Sequence, residues 1–149
     1  CLLSRGLGDV YKRQDLYSEE VTKTASLIAA KKEVREVLVS YQRDFIKNNQ
    51  NVVLDGRDTG SVICPQADFK FYIDADLKVR AKRRFAQNKE YYQNNNISTL
   101  DIEASLFERD ERDKNRETAP LIVPEGANII DNSEDSLEDM INKIIKIIK

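Results

Sequence analysis

Three clusters of charged residues in this chain could do chemistry. The first, Asp55-Gly56-Arg57-Asp58-Thr59-Gly60, directly follows the apolar run Val52-Val53-Leu54. An Arg set between two Asp and two Gly suits recognition of a phosphate by a guanidinium with an acceptor alongside. The second places five basic residues, Lys78, Arg80, Lys82, Arg83 and Arg84, within seven positions and no acid among them. On a helix, Arg80, Arg83 and Arg84 share a face at i, i+3, i+4, as a polyphosphate clamp requires. The third, residues 108–117, carries four basic and five acidic residues. Arg109, Asp113 and Arg116 line one helical face there, and two Arg flanking a carboxylate could hold a phosphate and a sugar hydroxyl together. Each cluster also has a plainer reading: a polar turn with a surface ion pair, a solvated helix face, and an exposed helix laced with weak salt bridges.

The rest of the inventory narrows the chemistry. The 149 residues include no His, which excludes His-based triads, His–metal sites and a His general base. Two Cys, Cys1 and Cys64, cannot make a disulfide framework or a zinc ligand set, and a reducing, cytoplasmic setting is expected. Lys and Arg number 24 against 26 Asp and Glu, a net charge of −2, which argues against binding nucleic acid through bulk charge. At 40% hydrophobic and 34% charged, the chain has the composition of one globular domain with a real core. No apolar run approaches the ~20 residues of a membrane span, and nothing reads as a secretory signal.

The elements that must position these residues follow from periodicity. Ser18 followed by Glu19 and Glu20 predicts a helix start, with Val21, Ala25 and Ile28 at helical spacing. A bend is expected at Lys31-Lys32-Glu33, then a second helix with Val34, Val37, Leu38, Tyr41 and Phe45 on one face, ending at 48–51. The run 52–54 reads as a strand buried on both faces of a parallel sheet, with further strands at 69–73 and 128–130. Helical patterns occupy 77–88 and 102–116, and the Asn-rich stretch 90–99 reads as a mobile loop between them. Leu137, Met140, Ile141, Ile144, Ile145 and Ile148 make a last helical stripe, capped by Ser136 or Asn132. Strands alternating with helices imply an α/β fold, and strand-tip positions in such folds are where ligands bind.

The order of these features is more specific than any one of them. Thr24-Ala25-Ser26, Glu33-Val34-Arg35-Glu36, Gln42-Arg43, the DGRDTGSV run at 55–62, Pro65 with Ala67-Asp68, Arg80-Ala81-Lys82-Arg83-Arg84, and ERDERDKNR with Ala119-Pro120-Leu121 together resemble the C-terminal part of the bacterial-type cytidylate kinase family. The resemblance covers about 15–149. It implies the P-loop nucleoside monophosphate kinase fold, a parallel sheet flanked by helices, here incomplete and without its first strands and P-loop. Residues 15–50 would then be the end of the monophosphate-binding region and a core helix, 51–76 core strands, 77–117 the lid region and flanking helices, and 118–149 the last strand and helix. The implied activity is phosphoryl transfer from ATP, with Mg²⁺, to CMP or dCMP. The implied roles are base recognition for Ser26, Arg35 and Asp58, phosphate binding for Arg57 and Arg116, and work near the sugar and reacting phosphates for Arg109 and Asp113. Arg80, Arg83 and Arg84 match the basic lid helix that closes over ATP, with 90–99 as the lid. A cytoplasmic monomer with small-molecule partners, no nucleic acid and no membrane is the corresponding expectation.

The chain departs from the family pattern at Lys32, where Pro is common, and at Cys64, where a larger apolar residue is common. The serious departure is that no G-x-x-x-x-G-K-[ST] phosphate loop occurs, since Gly6, Gly8, Gly56, Gly60 and Gly126 lack its spacing. Residues 1–14 (CLLSRGLGDVYKRQ) resemble translated adapter sequence at the edge of assembled reads, so native sequence is expected from about Asp15, inside a gene. A kinase for another monophosphate, and a nucleic-acid-binding domain using the 78–84 patch, stand as alternative readings. In the family the missing first strand lies between the strand ending at Leu54 and that at 69–73, so a gap or a non-native pairing is expected there. With no glycine-rich loop to surround donor phosphates, the 149-residue chain alone should neither hydrolyse ATP nor phosphorylate CMP. Coupled-assay turnover near that of a complete kinase would refute this expectation.

Overall fold

The computed structural model describes residues 19–29 and 31–149, and the chain divides into two compact units, one ending at Asn48 and one running from Asn49 to Lys149. In the first, helices α1 (Glu19–Ala29) and α2 (Lys32–Lys47) pack on one another. The expected cap Ser18 lies outside the described residues. The break between the helices falls at the Lys pair as expected. Lys31 is extended (φ −74°, ψ 125°) and its amide donates to the Ile28 carbonyl at 3.0 Å. Arg35 Nη1 donates to the Ala29 carbonyl at 3.0 Å, satisfying an acceptor that the end of α1 leaves open. At the other end of α2 the Asn48 side chain donates to the Asp44 carbonyl at 2.8 Å, and Asn51 takes a left-handed φ of 56°, which the chain cannot propagate as helix.

The second unit is built on two short parallel strands, β1 (Phe71–Asp74) and β2 (Asn128–Asp131), in register from Phe71 opposite Asn128 to Asp74 opposite Asp131. Parallel neighbours need a long crossover. The intervening chain supplies it as α3 (Leu77–Gln87), α4 (Lys89–Asn94) and α5 (Thr99–Asn115), and α6 (Leu137–Ile148) follows β2. Helices α3 and α5 pack together, and the core between α3, α4 and α5 is Ala81, Tyr92, Ile102 and Leu106, with Leu77, Phe85 and Ile97 around it. Asp76 starts α3 by accepting from the amides of Lys78 and Val79. Among the described residues no helix is long and apolar enough to cross a membrane.

Two expected elements need correction. Residues 52–54 are not a strand: the sheet holds β1 and β2 alone among the described residues, and Val53 is 86% exposed. An apolar run becomes a strand only where a neighbour completes its hydrogen-bond ladder, and none lies beside it here. The stretch 90–99 is not a loop throughout. Its first half is α4, because Tyr92 is driven to 3% exposure and its ring stacks on Phe85 with centroids 5.9 Å apart. A third element differs in form: Thr59–Ile63 is a single π turn, closed by Cys64 N–H donating to the Thr59 carbonyl at 2.7 Å. Gly60 within it lies so near Pro124 that a Cβ would stand 3.0 Å from the proline ring, so any side chain there would require the proline to give way by a few tenths of an ångström.

Helices α5 and α6 both begin with reciprocal capping boxes, Ser98 with Asp101 and Ser136 with Asp139. Ser136 is thus the cap of the last helix, of the two residues proposed. The serine hydroxyl first, and the serine amide second, hold each Asp carboxyl below its ordinary value. A carboxyl depressed in the folded state stabilises it above the unfolded value near ~4, and that contribution is lost as the pH falls through the folded value. Acid titration should therefore fray the first turns of α5 and α6. Replacing both serines by Ala should lower stability by about 1 kcal/mol per cap near neutrality and flatten this acid dependence. Helical circular dichroism of the two proteins between about pH 6 and pH 2 checks both outcomes.

Candidate functional site

Asp58, Asp110 and Asp113 are the buried charged residues among those described. Asp58 ends the turn after 52–54, whereas Asp110 and Asp113 lie three apart on α5 and so share a face. Together they are met by guanidinium groups brought from several elements. Arg57, from the turn, reaches Asp110 Oδ1 with Nη1 at 3.2 Å and Asp113 Oδ2 with Nε at 3.5 Å. Arg80, from α3, reaches Asp110 Oδ2 with Nη1 at 2.6 Å, and its Nε donates to the Ala75 carbonyl at 3.0 Å. Arg109 Nε stands 3.9 Å from Asp113 Oδ2.

Arg116, just past the end of α5, bridges the two halves of the cluster. Its Nη1 lies 3.7 Å from Asp113 Oδ1 and its Nη2 3.9 Å from Asp58 Oδ1. Its Nε donates to the Ala119 carbonyl at 2.6 Å, where Ala119 holds a left-handed φ of 52°. The Leu121 amide donates to the Asp113 carbonyl at 2.7 Å, so Ala119-Pro120-Leu121 is folded back against the cluster from both ends. A non-glycine residue in that conformation is strained by about 1 kcal/mol or more. The Arg116 hydrogen bond offsets that strain locally.

The balance of charge is unequal. Arg57, Arg80, Arg109 and Arg116 surround three carboxylates, and Arg84 adds to the positive field at Arg109. Burial first, and then the neighbouring Arg57, lower the Arg109 pKa from its ordinary value; Asp113 opposes them and Arg84 reinforces them. The buried Nε of Arg109 has no hydrogen-bond acceptor. A guanidinium that is crowded by like charge and short of an acceptor favours an anion with oxygens to spare, which describes a phosphate. Among the described residues no group of acidic or sulfur side chains is arranged to hold a metal ion, and the three buried carboxylates are occupied by arginines. These residues therefore do not fit a Mg²⁺ site.

Of the residues singled out from sequence, the structure brings together Arg57, Asp58, Arg80, Arg109, Asp113 and Arg116, with Arg84 near Arg109. Arg83 differs from Arg80 and Arg84 in its contacts: its Nη2 donates to the carbonyls of Asn132 at 2.8 Å and Asp135 at 3.2 Å, bracing the chain after β2. A helical face at i, i+3, i+4 is wide, and at Arg83 the nearest acceptors are backbone carbonyls on another segment. Arg35 lies on α2 in the first unit, bonded to Ala29. Ser26 lies on α1 with its side chain outside the described residues.

Two residues escaped the sequence reading. Asp110 holds both Arg57 and Arg80, yet it was hidden in an alternating acid–base run; its i, i+3 relation to Asp113 was the available signal. Tyr92 accepts a hydrogen bond from Arg84 Nε at 3.1 Å, and an aromatic residue inside an otherwise polar stretch was its signal.

Known proteins resemble this chain over most of its length. The family model described as cytidylate kinase matches residues 6–149. A cytidylate kinase of Bartonella bacilliformis is 45% identical over 124 residues, covering 83% of this chain and 57% of the relative. Cytidylate kinases of Bradyrhizobium diazoefficiens and Cereibacter sphaeroides are 42% and 41% identical, covering 90% and 92% of this chain and 62% and 66% of the relatives. The family match gives the class of the fold, an α/β domain of the P-loop monophosphate kinase kind, with the two-stranded parallel sheet and its helices as the part described here. The chain belongs to the cytidylate kinase family, and it spans about three-fifths of the length of these relatives.

The structural weight of Arg116 is testable by urea unfolding. Arg116→Ala removes positive charge from two buried carboxylates and releases the Ala119 turn, so it should destabilise by on the order of 3 kcal/mol. Lys114→Ala, which breaks only the exposed 3.6 Å pair with Glu111, should change stability by less than ~0.5 kcal/mol.

Proposed function

We propose that the protein is an ATP-dependent kinase of CMP and dCMP and that the arginine–carboxylate cluster is where phosphate groups are held. The observation that supports this reading most directly is the buried Arg109 Nε without an acceptor, set among an excess of guanidinium groups. The relatives carry the name cytidylate kinase, and the reading extends that activity to this chain.

In the proposed reaction an oxygen of the CMP phosphate attacks the terminal phosphorus of ATP. A P–O bond forms to CMP, the bond to the departing ADP breaks, and CDP results. Such transfer depends on positioning and on stabilising charge over the phosphoryl oxygens, and it needs no nucleophilic side chain. A protein without His fits this demand. Arg57 and Arg116 are assigned to the acceptor phosphate, Arg109 to the phosphoryl in flight, and Asp113 to holding these cations in place. Arg80 and Arg84 are assigned to the donor end. Asp58 is assigned to the exocyclic amino group of cytosine, since a base lacking that amino group leaves a buried acceptor unpaired. Ser26 and Arg35, in the first unit, keep the base-recognition roles that the family resemblance implies. Mg²⁺ would enter with ATP and would supply charge neutralisation there; none of the cluster's residues is assigned to hold it. The setting is cytoplasmic, the partners are nucleotides, and the enzyme is a monomer.

The test is an assay of the complete gene product with ATP, Mg²⁺ and each of CMP, dCMP, UMP, AMP and GMP. CDP and dCDP should form, with CMP strongly preferred over UMP. Arg57→Ala should reduce kcat/KM by about 1.5–3 kcal/mol in transition-state stabilisation. Asp58→Ala should narrow the CMP over UMP preference. Phosphorylation of another monophosphate in place of CMP would favour the wider monophosphate kinase reading, and no phosphorylation at all would overturn the proposal.

A further inference from the structure

We propose that Asp110 is a positioning residue that sets the separation of the two arginines serving the acceptor and donor phosphates; this rests on the kinase reading above. Asp110 is buried on α5, and its two oxygens go to two different cations, Oδ1 to Arg57 Nη1 at 3.2 Å and Oδ2 to Arg80 Nη1 at 2.6 Å. Each of those guanidinium groups has a second anchor. Arg57 Nε faces Asp113 Oδ2 at 3.5 Å, and Arg80 Nε donates to the carbonyl of Ala75, the residue that follows β1, at 3.0 Å. Asp110 is therefore the acceptor that the two arginines share, and their positions relative to one another depend on it.

Physical chemistry gives the arrangement a direction. Two guanidinium groups drawn together repel, and a carboxylate between them cancels the repulsion and fixes both angles through directional hydrogen bonds. Each guanidinium carries five N–H donors, and the contacts named engage two of them, so further donors remain for an anion. A carboxylate that joins the acceptor-side and donor-side arginines governs how closely the two phosphates are presented to each other, more than how tightly either nucleotide binds. Its removal should appear in turnover, because small errors in the approach of reacting groups weigh most heavily on the chemical step. Asn in its place would turn an amide N–H₂ toward one of the two cations.

The experiment compares wild type, Asp110→Asn and Asp110→Glu in the complete protein, each also in the Arg80→Ala background. Asp110→Asn should lower kcat by about tenfold or more while KM for CMP and ATP stays within about threefold. In the Arg80→Ala background the same change should cost much less, because half of what Asp110 positions is already gone. Asp110→Glu, which keeps the charge, should retain more turnover than Asn, and it carries the test if the Asn variant fails to fold. An unchanged kcat in Asp110→Asn, an equal loss in the Arg80→Ala background, or Glu no better than Asn would each overturn the inference while leaving the kinase reading intact. A wild-type protein that phosphorylates no nucleoside monophosphate would overturn the kinase reading and this inference with it.

Discussion

A carboxylate withdrawn from water must be met by positive charge and hydrogen-bond donors, and this requirement ties together three separate pieces of the second unit. Asp113 on α5 draws in Arg57 from the turn at 55–60, Arg109 from its own helix and Arg116 from the segment beyond. Asp110 adds Arg80 from α3. Asp58, from the turn itself, stands opposite Arg116. The packing of α3 against α5 through Ala81, Ile102 and Leu106 brings the helices together, and the ion pairs lie alongside that contact. Apolar packing sets the distance between the helices, while the charged cluster fixes which faces meet and where the turn docks.

Buried ion pairs contribute little net stability when they replace apolar packing, since desolvation consumes much of the Coulombic gain. Their presence in a small core therefore calls for another explanation, and the imbalance of charge supplies it. Carboxylates hold the arginines in defined positions without neutralising all of them. The remainder is a preorganised positive field in a partly dry setting. Such a field stabilises negative charge without having to reorganise. Tyr92 belongs to the same design, because its ring fills the core beside Phe85 while its hydroxyl holds Arg84.

The backbone around the cluster is irregular where the cluster needs it. The π turn at Thr59–Ile63 follows Asp58 immediately, and its extra residue per turn shapes the chain next to the buried carboxylate. Ala119 is held left-handed by the bond from Arg116. Both features sit at the edges of regular elements and bear directly on a charged residue, where local strain serves the positioning of side chains.

Much of this was legible in the residues themselves. The helical period from Leu77 through Gln87, the stripe after Ser136 and the break at Lys31 are local properties, decided by spacing, capping and charge within a few positions. The three charged clusters were legible for the same reason, since runs of arginines and carboxylates advertise themselves by composition. Partnership was not. Whether Val52-Val53-Leu54 becomes a strand depends on a neighbour to complete its ladder, and the run itself carries no record of one. Residues 90–99 are polar enough to read as loop, yet one aromatic ring finding the core makes α4. Arg80, Arg83 and Arg84 are equivalent in sequence, and only the tertiary structure sends them to a carboxylate, to backbone carbonyls and to a phenol. Sequence determined which groups could bind phosphate, because side-chain chemistry is intrinsic. Tertiary structure decided which of them come together, because a long side chain takes the nearest acceptor that folding places within its reach.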